Sequence, residues 1–327
     1  MYVLPSISAI ATKGSSAHTA ADACLILQYH RVASLCHDPL QLAVQPHNFE
    51  SQMEYLAENF NVISSDQMKL HLETATPFDN RTVAVTFDGG YSDILYTAKE
   101  VLDKYGIHAT VFASSARIIE AEQFWQSELE DILIAGDPRG NMEIEIDGKC
   151  YIWYLRNRRD AFRTFDVLCS IMPDMTPLAQ KRILSQIKLC IDSKPAEPDC
   201  HSMMDARELQ MLEDGGLITI GGHTHNFVKL SALPKWRQLE ELVRNKDVLE
   251  EALRHPVEYF SYPFGNEDCY TTEAAEMLEN IGFTLAFGSS HGTVIGAKAA
   301  NRYELPRVKV GNWNSFTFYR FLEGFFT

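Results

Sequence analysis

The 327 residues are 46% hydrophobic and 22% charged, a balance that excludes a disordered chain and a fibrous one. A formal net charge of -15 opposes attraction to nucleic acid or an anionic membrane surface, and no apolar run reaches the roughly 18 residues of a membrane span. The length accommodates either one large barrel-like domain or two ordinary ones.

In chain order, residues 1–20 are rich in Ser, Ala and Thr without a period and are expected to form a loose arm. Lys13 is their only Lys or Arg and no apolar core with a cleavage signature follows, which disfavours a secretory leader. Short apolar runs then alternate with helical spacing. Strands are predicted at 24–29, 62–63, 83–87 and 109–113, and helices at 48–59, after Ser64 (which with Gln67 spells a capping box), and at 93–105 before Gly106. Residues 115–215 interrupt this rhythm and read as a mostly helical insertion, with helices at 156–169 and 177–191 and a Pro-containing linker at 194–199. Strands at 217–221, 259–262, 283–287 and 305–310 and helices at 234–254, 271–280 and from 315 complete the chain. About seven strand–helix units predict an α/β fold, a distorted β/α barrel of parallel strands spanning 21–327 as one domain. The seven cysteines are odd in number and form no C-x-x-C pair, so a reducing, cytoplasmic setting is expected.

Four polar clusters fall at predicted strand ends: Tyr29-His30-Arg31, Asp88-Gly89-Gly90, His223-Thr224-His225-Asn226 and Tyr262-Pro263-Phe264-Gly265. In a β/α barrel those ends share one face, where such enzymes carry out their chemistry. Asp88 is a candidate general base or a helix cap, and His30 becomes a candidate general acid in its company. On an extended segment His223 and His225, two apart, would point the same way, towards substrate or metal. Tyr262 and Pro263 would line the mouth, Arg307 would meet a carboxylate or orient Asp88, and Trp125 would stack on a sugar ring or sit in the core.

Thr86-Phe87-Asp88-Gly89-Gly90-Tyr91, together with Tyr29-His30-Arg31, Phe124-Trp125, Ile220-Gly221-Gly222-His223-Thr224, Tyr262-Pro263-Phe264-Gly265 and Leu305-Pro306-Arg307, resembles the polysaccharide deacetylase (NodB-homology, carbohydrate esterase 4) family, in the branch linked to bacterial surface-polysaccharide synthesis. The resemblance implies a barrel hydrolase of amide C–N bonds in an N-acylated sugar or small intermediate, with Asp88 as base, His30 as acid, and Zn²⁺ bound by a second aspartate and two histidines. Here the second aspartate is Gly89, and the position four beyond His223 is Phe227. A catalytic zinc needs about three protein ligands, so no metal is expected. The alternative is a shifted zinc site of His223, His225 and Asp93. Two further readings stay open: a metal-free elimination or rearrangement, and a ligand-binding homologue without catalysis. The expected partner is a saccharide or small molecule, not nucleic acid, and the sequence sets no oligomeric state.

Overall fold

The computed structural model describes residues 22–120, 123–191, 202–290, 292–295 and 300–326; the predicted arm and the 194–199 linker lie outside them. The barrel strands are β1 (Ala23–Tyr29), β2 (Thr82–Gly89), β3 (Ala109–Ala113), β4 (Ile218–Gly222), β5 (Tyr259–Ser261), β6 (Leu285–Phe287) and β7 (Val308–Lys309). Neighbours pair in parallel in the order β6-β5-β4-β3-β2-β1, and β7 pairs with β1. The ring closes through the residues just before β7: Leu305 bridges Phe287, and Gly288 N–H donates to the Leu305 carbonyl at 2.9 Å. The expected barrel is thus present with seven parallel strands. Helices pack outside it, among them Pro46–Asn59, Ser65–Thr74 and Lys235–Leu253. The Ser64–Gln67 capping box forms, and Gly106 ends its helix in the left-handed conformation.

Side chains alternate across each strand, and the inward set changes character along the barrel axis. At the bottom it is apolar: Cys24, Ile26, Ala84, Phe112, Tyr259, Leu285, Phe287 and Leu305 form one buried cluster. Two residues further along the same strands stand Gln28, Thr86, Ser261 and Arg307, and two further again along β2 stands Asp88, all buried. Outward residues such as Leu25, Leu27, Val83, Val85 and Phe87 join the larger core beneath the helices. Period-two patterning therefore builds a dry floor under a polar ceiling at the C-terminal end of the strands.

The insertion departs from the mostly helical expectation. Gly140–Ile146 and Lys149–Leu155 form an antiparallel hairpin. Its turn is Asp147-Gly148, both at positive φ (50° and 74°), the two-residue hairpin turn that Asp-Gly favours. Met142, Ile144 and Ile146 alternate inward against the helices Arg158–Ile171 and Pro177–Cys190, so the insertion carries its own core.

Candidate active site

Asp88 ends β2 facing inward, 4% exposed. The Arg307 guanidinium grips it bidentately: Nη1 donates to Oδ1 and Nη2 to Oδ2, each at 2.7 Å. Gln28 Nε2 donates to Oδ2 at 2.7 Å as well. Arg307 is fully buried, and its other donors reach the Gly288 carbonyl, Thr86 Oγ1 and Ser261 Oγ. Burial by itself would raise the Asp88 pKa, but Arg307, seconded by His223 and His30, holds the carboxyl well below its usual range. Asp88 is therefore a fixed negative charge, with one acceptor direction remaining on Oδ1.

His223 follows β4 and is 1% exposed. Its Nδ1–H donates to the Ser261 carbonyl at 2.8 Å, which fixes the tautomer and makes Nε2 the acceptor. Burial is the main cause that lowers its pKa. His30, just beyond β1, is half-buried; desolvation and then the Lys309 ammonium bring it down to about 3, although Asp88 pulls the other way. It is a neutral imidazole at pH 7, so it gives a proton to a leaving group only after accepting one.

Asp88, His30 and His223 are thus brought within electrostatic reach of one another. Several other candidates are not on this mouth. Thr224 stands at φ 56°, which breaks the extended geometry that would align His223 with His225. His225 instead bonds Ser115 Oγ through Nδ1 at 2.8 Å, and desolvation, followed by Arg244 and Arg117, lowers it to about 4. Arg307 does not face a substrate, because its donors serve Asp88 and the barrel wall; of its two readings, the orienting one describes its position. The Tyr262 hydroxyl donates to the Tyr303 carbonyl at 3.0 Å, its ring stacks on Tyr270 at 3.9 Å, and both Tyr262 and Pro263 are buried. Trp125 is 5% exposed within the insertion core. The sequence motifs do not mark Gln28 or Lys309; a polar residue at an inward position of an apolar strand is the available signal.

The donor set does not fit the zinc site that the sequence resemblance implies. Gly89 stands at φ 113°, and a Cβ there would lie 2.7 Å from Tyr91 Cε2 and 2.9 Å from Cδ2. Tyr91 is itself packed edge-on to Phe124 and lies beneath the Arg31 guanidinium. Phe227 rests on Phe124, Phe264 and His223, with centroids at 4.5, 5.0 and 5.2 Å. Asp93, the third member of the shifted alternative, accepts from Arg31 Nε at 2.8 Å and the Val32 amide at 2.9 Å. Among the described residues no three His, Cys, Asp or Glu side chains gather around one point suited to a metal.

Comparison with known proteins agrees with this architecture. The curated Bacillus subtilis protein YxkH, a polysaccharide deacetylase by name, is 29% identical over 108 residues, 33% of this chain and 37% of its own length. The chain therefore matches little more than a third of that relative. Streptococcus pyogenes deacetylase PplD, solved in complex with acetate, superposes with a TM-score of 0.61 at 15% identity, over 92% of this chain and 98% of PplD. IcaB from Ammonifex degensii gives 0.59 at 18% identity, over 95% and 100%. At such identities the two structures establish the fold. The polysaccharide deacetylase family model matches residues 75–148 and 158–286, so the segments that build the barrel from β2 to β6 identify the chain as a member of the polysaccharide deacetylase family.

Proposed function

We propose that the barrel mouth hydrolyses the amide C–N bond of an N-acylated sugar or small biosynthetic intermediate without a metal ion. Family membership supports the reaction class, and the carrying observation is the buried Asp88–Arg307 pair beside a neutral His30. In this reading His30 accepts a proton from water while Asp88 stabilises the imidazolium that forms. The resulting hydroxide adds to the acyl carbonyl. The imidazolium then returns the proton to the leaving nitrogen as the C–N bond breaks, giving an amine and a carboxylic acid that then ionises to solvent. His30 is thus base first and acid second, and Asp88 orients and compensates charge. Forgoing a Lewis acid sacrifices several kcal/mol of transition-state stabilisation, so turnover is slow. A cytoplasmic location is supported by the six described cysteines, all unbridged. The acidic chain fits a small saccharide partner better than nucleic acid.

Amine release from N-acylated glucosamines tests the reading. His30→Ala, at a half-buried position, is expected to keep the fold and lose about 10²–10⁴-fold in turnover. Undiminished turnover in that variant would remove His30 from the mechanism.

A further inference from the structure

The two phenylalanines at the mouth hold an unusual backbone conformation. Phe227 has φ 57° and Phe264 has φ 64°, in the left-handed region that bulky side chains rarely enter and that Gly or Asn takes far more readily. Asn226 directly precedes Phe227, yet its side chain is engaged elsewhere: Nδ2 donates to Glu241 Oε1 at 2.6 Å and its amide to Oε2 at 2.8 Å. The left-handed turn therefore falls on the phenylalanine. Both rings are half-buried and lie 5.0 Å apart, Phe227 beside His223 and backed by the buried Phe124. A conformation held against its preference at two adjoining points of a mouth points to a job for the rings. Phe227 lies against the His223 ring, and with Phe264 it forms an apolar wall beside that imidazole, where an acyl carbonyl held at His223 would carry its alkyl end.

We infer that Phe227 and Phe264 clamp the alkyl part of the substrate's acyl group, so that the site prefers N-acyl chains longer than acetyl, with Phe227 as the specificity-determining residue. The inference rests on the hydrolase reading for the substrate class but is tested by binding. Calorimetric titration of the full chain with N-acetyl-, N-propanoyl-, N-butanoyl- and N-hexanoyl-glucosamine is expected to show affinity rising roughly threefold per added methylene, near the value for burial of one such group. Phe227→Asn, a residue suited to φ 57°, flattens that slope, and Phe227→Leu keeps part of it; circular dichroism confirms that both are folded. A flat series in the unmodified protein, an unchanged slope in Phe227→Asn, or glucosamine binding as tightly as its hexanoyl derivative would overturn the clamp. A rising series with no amine released from any member upholds the clamp and sinks the hydrolase reading. Release from the N-acetyl compound with a flat series does the reverse.

Discussion

The two sides of the barrel mouth are built on opposite principles. On the Asp88 side each charged atom has a partner: the carboxylate meets Arg307 and Gln28, and the guanidinium continues to Thr86, Ser261 and the Gly288 carbonyl. On the Gly89–Phe227 side, the positions where the family resemblance implies metal ligands hold a bare glycine and an aromatic ring, and Tyr91, Phe124, Phe227 and Phe264 pack from one to the next. The polar side fixes a charge in a dry place, where electrostatic effects on a reacting group are strongest. The aromatic side offers shape and apolar contact. In the proposed reading, the polar side serves proton transfer and the aromatic side acyl recognition.

The contrast is broken most severely from the polar side. Arg307→Met leaves Asp88 buried without its counter-charge and is expected to destabilise the fold by about 3–5 kcal/mol in chemical denaturation. Arg307→Lys does not restore it, because an ammonium lacks the planar fork that fits both oxygens. Asp88→Asn likewise strands a fully buried guanidinium, so its turnover has to be read per folded molecule. A denaturation midpoint unmoved by Arg307→Met would mean that the pair does not hold the mouth together.

From the aromatic side the expected effect is smaller. Gly89→Asp sets a side chain at φ 113° against the Tyr91 ring, a strain of about 1–3 kcal/mol, and gains no ion by elemental analysis even when combined with Phe227→His. Stoichiometric zinc in that double variant would show the two sides to be less different than the packing indicates.

Acidification acts on the histidines. His30, His223 and His225 have pKa values lowered in the folded chain, so the unfolded chain takes up protons first as pH falls below about 6.5. The histidine contribution to stability is therefore full above that pH and declines towards pH 4, with a slope of at most about 1.4 kcal/mol per pH unit for each imidazole. Denaturation midpoints between pH 7.5 and 4.5 measure it. Glu130, in the insertion, behaves in the opposite sense. Burial, then Asp38 and Asp131, raise it to about 8, so its stabilising contribution is complete below about pH 4.5 and is lost as pH rises towards 8. Glu130→Gln is expected to remove that decline between about pH 4.5 and 8, and so to steepen the acid limb that the histidines produce where the two windows overlap.

Much of this was legible in the sequence because it is local. Alternating strand and helix periods gave the barrel, the Ser64–Gln67 spacing gave a cap, and the strand-end motifs placed Asp88, His30 and His223 on one face. What escaped was set by backbone geometry and by distant pairings. The left-handed Thr224 turns His225 away from the mouth, a fact that residue spacing does not carry. Arg307 lies 219 residues from Asp88 in the chain, and only the closure of the barrel brings the two together. The hairpin was signalled by Asp147-Gly148 between alternating residues, but neighbouring helical stretches masked it. Tyr262 stood in a motif suggestive of a groove and proved to be core, because its hydroxyl found an internal carbonyl.

Turnover of an N-acylated glucosamine by chelator-treated protein asks whether the Asp88 mouth works without a metal. The same slow amine release is expected before and after chelation, with no gain on adding zinc. Loss of turnover on chelation with recovery on zinc addition would contradict that expectation.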